Sequence, residues 1–285
     1  MPDLRPILPL LGFLALMLGA CDTAVSPLRD DPDAFFALHG YLDTGADTQY
    51  VRVQALRSTV APETTAFLDA TVHSLDEATG ATRAWHDSLV TLEDGRPGHL
   101  FFAPFRPEPG RTYRLVVTRS DGARTEARIT TPAPPRARPA LPVEDGFTIT
   151  QPVTLEGLVR PPRDLRLVYR IASTRNPVVQ THAIGYGEAG TPVPGGWRVT
   201  VQLKRDADLL HRRYVPLDDA DTTLTFHGVA MAFTVTGPEW DTGSTDANIS
   251  GGHGFFGAVG RFTVAWHLDP VTVGTLGFLD RQETP

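Results

Sequence analysis

The periodicity that decides the fold is clearest in one stretch near the amino terminus, Gln49-Tyr50-Val51-Arg52-Val53-Gln54-Ala55. Its apolar residues Val51, Val53 and Ala55 alternate with the polar residues Arg52 and Gln54. A period of two places one set of side chains on the buried face of a strand and the other set on the exposed face. The stretch therefore predicts a half-buried antiparallel strand.

The same alternation recurs along most of the chain, while apolar spacing typical of helices is rare. Further examples are residues 112–118, 165–171, 197–203 and 262–268. Turn sequences rich in Gly, Pro and Asp separate the strands at intervals of about ten residues. We therefore predict an all-β protein, with seven strands between residues 35 and 130 forming a β-sandwich of immunoglobulin-like type.

The composition of the intervening segments predicts two domains. Five prolines between residues 132 and 142 interrupt the alternation and are typical of a stiff linker. The expected layout is a signal peptide at 1–20, a tether at 21–33, an Ig-like β-sandwich at 34–132, a Pro-rich linker at 133–145 and a second β-sandwich-like domain at 146–285.

One short helix is expected within the second domain, at residues 206–213. Asp206 is the candidate cap, and Leu209 and Leu210 are expected to face inward.

The first twenty residues resemble a secretory signal followed by a lipid-attachment site. Arg5 precedes an apolar run that is too short to span a bilayer. The run ends in Leu18-Gly19-Ala20-Cys21, which has the order of a lipobox: a branched apolar residue, two small residues and a thiol that accepts diacylglycerol. We therefore expect cleavage before Cys21 and attachment of the mature chain to a membrane by lipid.

Composition excludes several classes of function. Cys21 is the only cysteine, so its lipidation leaves no thiol for a disulfide, a zinc site or a nucleophile. The net charge is −7, and Lys204 is the only lysine, so the chain has no basic footprint for nucleic acid.

Several of these segments resemble a family of Gram-negative envelope lipoproteins that is catalogued as a domain of unknown function and is often encoded near TonB-dependent outer-membrane receptors. The resemblance rests on the lipobox and on residues 36–43, 47–53, 109–115 and 250–258. The segment Pro109-Gly110-Arg111-Thr112-Tyr113 is also similar to the residues that begin a strand after a tight turn in Ig-like and carboxypeptidase-regulatory-like domains.

The resemblance implies a role in the cell envelope. We expect the lipid anchor to lie in the outer membrane in preference to the inner membrane, and the choice of membrane is left open. The resemblance also implies a partner such as an outer-membrane uptake receptor or a neighbouring surface protein. It implies no catalytic residue and no cofactor.

Asp-Thr-Gly occurs twice and is the strongest catalytic candidate. Asp43 and Asp241 each begin such a triplet, and two of these loops can bring two carboxylates together to share a proton, as in aspartic proteases. The second triplet follows Pro238-Glu239-Trp240 rather than an apolar strand, and Asp-Thr-Gly is also common turn chemistry. Turns are therefore the favoured interpretation, with an aspartic hydrolase as an alternative.

Metal and nucleophile patterns are weak. The segment 241–248 contains oxygen side chains that can surround calcium, but it lacks the order of an EF-hand, and a solvated loop is favoured. The nine histidines include no His-x-x-x-His pair, and no Gly-x-Ser-x-Gly elbow is present. We predict neither a catalytic set nor a metal site.

A glycine- and aromatic-rich segment is the candidate binding surface. His253, Phe255 and Phe256 lie within it, and Trp240 is expected in a nearby loop. A bulged strand at a sheet edge is the alternative interpretation.

We therefore expect a non-catalytic binding or accessory module, and the oligomeric state is left open. A carbohydrate-binding module is the second hypothesis, with four tryptophans to consider. Trp197 and Trp266 lie in the apolar phase of their strands, which leaves Trp240 and Trp85 as platforms for sugar rings.

Overall fold

The computed structural model describes residues 33–56, 67–93, 95–187, 190–215, 221–241 and 248–282. The predicted all-β class is confirmed, because strands account for most of these residues and only two short helices occur among them. The described residues belong to one compact unit. In this part of the chain, no helix has both the length and the apolar character needed to cross a membrane.

Eighteen strands are present in the described ranges, and the first seven match the number predicted between residues 35 and 130. The first seven are β1 Phe36–Asp43, β2 Gln49–Ala55, β3 Thr71–Asp76, β4 Thr82–Thr91, β5 Pro97–Ala103, β6 Thr112–Thr118 and β7 Arg124–Thr130. The next seven are β8 Arg136–Pro139, β9 Val143–Asp145, β10 Thr148–Glu156, β11 Arg163–Ser173, β12 Gln180–Gly187, β13 Thr191–Val193 and β14 Gly196–Val201. The last four are β15 Leu224–Thr236, β16 Ile249–Ser250, β17 Gly252–Trp266 and β18 Phe278–Asp280.

Two sheets contain these strands. The larger sheet follows the order β12-β11-β15-β17-β1-β2-β5-β4-β3-β6-β7-β16, with β18 paired to β15. The smaller sheet follows the order β13-β14-β10-β8, with β9 paired to β10. The larger sheet folds back on itself along its length, so that its strands enclose apolar side chains and form β-sandwich layers.

Two hydrophobic cores result from this arrangement. The first contains Phe36, Leu38, Leu115 and Ile129, which lie at the apolar alternate positions of β1, β6 and β7. The second contains residues of β10, β11, β14 and β15, packed against one helix. The alternation read from the sequence thus corresponds to the inward positions of these strands.

Strand β17 contributes to both cores. Its first half pairs with β1 in parallel, from Phe36 opposite Gly252 to Asp43 opposite Val259. Its second half pairs with β15, from Val259 opposite Thr236 to Trp266 opposite Val229. The late part of the chain therefore completes the sheet that begins with β1. The division into two domains stays a prediction.

The segment predicted as a linker contains two short strands. Strands β8 and β9 both pair with β10 in antiparallel registers. Prolines are tolerated here because β8 is at the edge of its sheet, where a missing N–H removes no interior ladder bond.

Two helices are described, α1 Leu203–Tyr214 and α2 Pro270–Thr275. The prediction that Asp206 caps α1 is wrong, because Gln202 occupies the cap position and Asp206 is fully buried within the helix. The prediction for Leu209 is also wrong, since its side chain is 42% exposed, whereas Leu210 is buried as expected. The helix begins three residues earlier than predicted, and its buried face is formed by Leu203, Asp206, Ala207 and Leu210.

Candidate functional site

The predicted binding residues lie on both sides of the sheet. Phe255 is partly exposed on the outer face of β17, and Trp240 is 40% exposed in a 3-10 turn at Pro238–Asp241. Phe256 is 1% exposed and belongs to the first core, so its prediction as a surface residue is wrong. Consecutive residues of a strand face opposite sides, and therefore only one of the two phenylalanines can reach the surface.

An aromatic surface extends from Phe255 and Trp240 across the neighbouring strands. We call it the aromatic row. Its six members lie on the outer face of five adjacent strands, β17, β1, β2, β5 and β4, or cover that face: Phe255, Trp240, Tyr41, Tyr50, Phe102 and His86.

The strand registers place four of these residues in one line. Tyr41 is directly opposite Tyr50, Tyr50 is directly opposite Phe102, and Phe102 is directly opposite His86. The ring centroids of Tyr50 and Phe102 are 6.5 Å apart, and those of Phe102 and His86 are 5.6 Å apart. Tyr41 and Tyr50 are 42% and 51% exposed. Adjacent strands are about 4.8 Å apart, so five strands give a line about 19 Å long.

At β17 the line is continued by Trp240, which comes from the neighbouring 3-10 turn and not from the strand itself. Gly257 is opposite Tyr41 in the register of β17 and β1, and it supplies no side chain. The indole of Trp240 covers this place, donates from Nε1 to the Ala258 carbonyl at 3.0 Å, and has its ring centroid 5.8 Å from Tyr41 and 4.9 Å from Phe255. A Cβ at position 257 would lie 2.9 Å from Trp240 Nε1. The glycine is therefore required for the indole to occupy this position.

Polar side chains border the aromatic row. A second set of residues lies two residues along each strand from this line, on the same face. His39 is opposite Phe255 on β17 and Arg52 on β2. Arg52 is opposite Leu100, and Leu100 is opposite Ser88. Burial, and then the charge of Arg52, lower the pKa of His39, which favours the neutral imidazole. This border thus presents hydrogen-bonding groups together with the positive charge of Arg52. On the other side of the line, the next residue of β1 on the same face is Asp43, whose carboxylate pairs with Arg261.

His253 is half-buried on β17, where it is opposite Ala37 of β1. It lies on the same strand face as Phe255, two residues along the chain. The structure therefore places His253 beside the aromatic row but not within its line.

Three of the four tryptophans are parts of the cores. Trp85 is 5% exposed and donates from Nε1 to Ser74 Oγ at 3.0 Å, so its prediction as a sugar platform is wrong. Trp266 donates to Gln151 Oε1 at 2.9 Å, and Trp197 packs on the second core. An indole that is buried with its N–H satisfied is structural. Trp240 alone of the four lies on the surface.

The first Asp-Thr-Gly triplet forms a turn. Asp43 Oδ1 accepts the backbone N–H of Gly45 at 2.8 Å, and its Oδ2 accepts Arg261 Nε at 2.9 Å. Gln49 further fixes this turn, accepting the backbone N–H of Asp43 at 2.8 Å. These contacts are those expected of an Asp that closes a turn and pairs with a cation. The side chain of Asp241 lies outside the described part of the structure.

The calcium and lipid predictions fall largely outside the described residues. The structure does not describe residues 242–247 of the suggested calcium loop or the lipobox, Leu18-Gly19-Ala20-Cys21. Asn248 is described, and its amide nitrogen donates to the Phe256 carbonyl at 2.7 Å. No group of three or more potential metal ligands occurs among the described residues.

An apolar cleft of about 570 Å³ lies near the ends of β7, β10 and β15, where it is lined by Thr130–Ala133, Gly157–Arg160 and Val235–Pro238. Arg160 is the only charged residue among those that line it, and its guanidinium donates to the Pro238 carbonyl at 3.1 Å. The cleft therefore lacks the paired titratable groups that acid–base chemistry requires.

The sequence interpretation missed Tyr41, Tyr50, Phe102 and His86. Tyr50 carried a usable signal, since it lies out of phase with Val51 and Val53 and therefore on the exposed face of its strand. The alignment of the four residues depends on which strands pair and in which register, and this information is not local in the sequence.

No family model matches the chain, and no curated protein matches it.

Proposed function

We propose that this protein is a lipid-anchored component of the cell envelope that acts as a non-catalytic binding module and uses the aromatic row as its contact surface. The observation that carries the proposal is the line of Tyr41, Tyr50 and Phe102 beside Trp240 on one open sheet face. Exposed apolar surface of this kind is costly to hydrate and is typical of interaction sites.

The residue types support the proposal. Tyr, Trp and Arg are enriched at binding hot spots because they offer large contact areas together with hydrogen-bonding groups. The aromatic row contains Tyr41, Tyr50 and Trp240, and Arg52 lies beside it.

The rigidity of the face also supports the proposal. Five of the six rings project from hydrogen-bonded strands, and Trp240 is held by its hydrogen bond to Ala258. Side chains that are ordered before binding lose less conformational entropy when a partner is bound. The face is therefore preorganised for recognition.

The anchor is supported by the order of residues in the lipobox and by the signal that precedes it. Intact mass spectrometry of the membrane-extracted protein tests it, with Cys21→Ala as the comparison. We expect a lipid-sized mass increment on the wild type and none on the variant. A wild type without the increment rejects the anchor.

A partner beside an outer-membrane receptor or another surface protein would be captured by chemical crosslinking on whole cells, followed by co-purification. The double variant Tyr41→Ala/Tyr50→Ala is expected to lose the captured material. Phe147→Ala is the matched control, since Phe147 is 97% exposed and lies outside the aromatic row. Equal capture by the wild type and the double variant shows that the captured protein does not contact the aromatic row.

A further inference from the structure

We infer that the aromatic row binds a linear, neutral polysaccharide whose chain lies across the strands, along the line from Trp240 to His86. This inference rests on the proposed function, because it names the class of partner for the same surface.

The shape of the surface favours a linear polymer. The line has one aromatic side chain at each of five adjacent strands, with Trp240 covering Gly257 of β17, and it is about 19 Å long. The ring centroids of Tyr50 and His86, which flank Phe102, both lie within 6.5 Å of the ring centroid of Phe102. Protein-binding hot spots are instead compact clusters surrounded by a rim that excludes water. A surface that is long and one side chain wide matches an extended chain better than a globular partner.

The chemistry of the rings favours sugars. The faces of pyranose rings present C–H groups, and the faces of aromatic rings are electronegative, so the two surfaces attract each other when stacked. Tyr41, Tyr50 and Trp240 combine such a ring with a hydroxyl or N–H group. The rings therefore offer apolar contact without the large, dry surface of an obligate protein interface.

The border of the row supplies partners for sugar hydroxyl groups. Three polar side chains lie on the same face, two residues along their strands from the line: His39, Arg52 and Ser88. Hydroxyl groups at the edge of a stacked sugar ring need donors and acceptors at the side of the aromatic surface. These three side chains lie at that side.

Charge favours a neutral polymer over an anionic one. The six residues of the aromatic row include no carboxylate, the Asp43 carboxylate two residues along β1 from Tyr41 is paired with Arg261, and the whole chain has a net charge of −7. A net negative protein repels a polyanion at long range. A neutral glycan carries no such penalty.

Native affinity electrophoresis of the detergent-extracted full-length protein tests the inference, in gels that contain mixed-linkage β-glucan, xyloglucan, xylan, galactomannan or amylopectin. We expect at least one polymer to retard the wild type. Tyr41→Ala and Tyr50→Ala should each weaken that binding on the order of tenfold, as for other stacked aromatic contacts. Tyr50→Trp should retain binding because it preserves the ring, and Phe147→Ala should match the wild type.

Retardation of the wild type by none of the five polymers overturns the inference, as does equal retardation of Tyr50→Ala and the wild type. Whole-cell crosslinking separates this failure from failure of the proposed function. If no polymer binds but the Tyr41→Ala/Tyr50→Ala variant loses a captured protein, the aromatic row is a contact surface for protein and only the polysaccharide inference fails. If neither binding nor capture depends on the row, both proposals fail.

Discussion

Tyr50 lies directly opposite Tyr41 on the exposed face of β1 and β2, with its ring centroid 6.5 Å from that of Phe102 on the next strand. These side chains are not required to fill a core, since Tyr41 and Tyr50 are 42% and 51% exposed. Cross-strand aromatic pairs contribute only about 0.2–1 kcal/mol to stability. The core does not require this pairing, and the proposed role in recognition accounts for it.

The adjacent residues Phe255 and Phe256 should differ sharply in their effects on stability. Phe256 is buried in the first core, and Phe256→Ala should lower the free energy of unfolding by about 3–5 kcal/mol. Phe255→Ala removes a partly exposed ring and should cost about 1 kcal/mol or less. Urea unfolding of both variants measures the difference. Equal costs would show that β17 does not have this register.

Gly257→Ala should displace Trp240 from the aromatic row. The added methyl group would lie 2.9 Å from Trp240 Nε1 and 2.7 Å from Phe255 Cζ. We expect the indole N–H resonance of Trp240, assigned with Trp240→Phe, to shift in the NMR spectrum. Gly185→Ala is the control, since a Cβ there meets nothing within 4 Å. An unchanged Trp240 resonance in Gly257→Ala contradicts the described position of the indole.

The hydroxyl of Tyr169 should be important for the stability of the second core. Asp206 is fully buried, and its Oδ2 accepts Tyr169 Oη at 2.8 Å and Tyr186 Oη at 2.5 Å. Burial, and then the negative charge of Asp206, raise the pKa of Tyr169 well above its usual value, so the phenol stays protonated and donates. Tyr169→Phe should cost about 1.5–3 kcal/mol, as for other hydrogen bonds to charged groups.

Thermal or urea unfolding of Tyr169→Phe measures this cost. Tyr50→Phe is the matched control, because the Tyr50 side chain is half exposed and its hydroxyl can be solvated. A loss of stability in Tyr169→Phe no larger than in Tyr50→Phe argues against the buried hydrogen bond.

Glu77 should stabilise the protein in a pH-dependent manner. Hydrogen bonds from Arg128, and then from Arg114, lower the pKa of Glu77 from 4.5 to about 2. Because the folded state holds the ionised form, this stabilisation is complete above the unfolded pKa of 4.5 and is lost as the pH falls towards about 2. The urea midpoint of Glu77→Gln should therefore lie below that of the wild type at pH 7, and the difference should shrink below pH 4.5.

Glu144→Gln is the control for this series, since Glu144 is exposed on β9 and its replacement should change the midpoint little at any pH. A difference between the wild type and Glu77→Gln that stays constant from pH 7 to pH 3 contradicts the ion-pair account.

The alternation of apolar and polar residues was sufficient to predict the all-β fold class and most of the strands. It was also sufficient to place Trp266 inward, because this inference needs only the local period of two. Asp206 was misjudged because a polar residue near a helix start resembles a cap, whereas here it is buried against two tyrosines from β11 and β12. The hydrogen bonds that make burial of this carboxylate possible come from segments that are distant in the sequence, so local patterns do not reveal them.

The candidate site was predicted only in part. The glycine and aromatic residues of β17 indicated the segment that contains Phe255, but their local sequence did not show that β17 pairs in parallel with β1. That pairing brings Trp240 against Tyr41, about two hundred residues apart in the chain. The aromatic row therefore becomes visible only when the strand order and registers are known.

The most direct test of the contact surface is site-specific photocrosslinking on living cells, with p-benzoylphenylalanine at position 50 and, for comparison, at position 147. The photoactivated benzophenone inserts into nearby C–H bonds, so it captures either protein or glycan. We expect a distinct crosslinked species from position 50 and none from position 147. Crosslinking from position 147 alone, or from neither position, would contradict the assignment of the aromatic row as the binding surface.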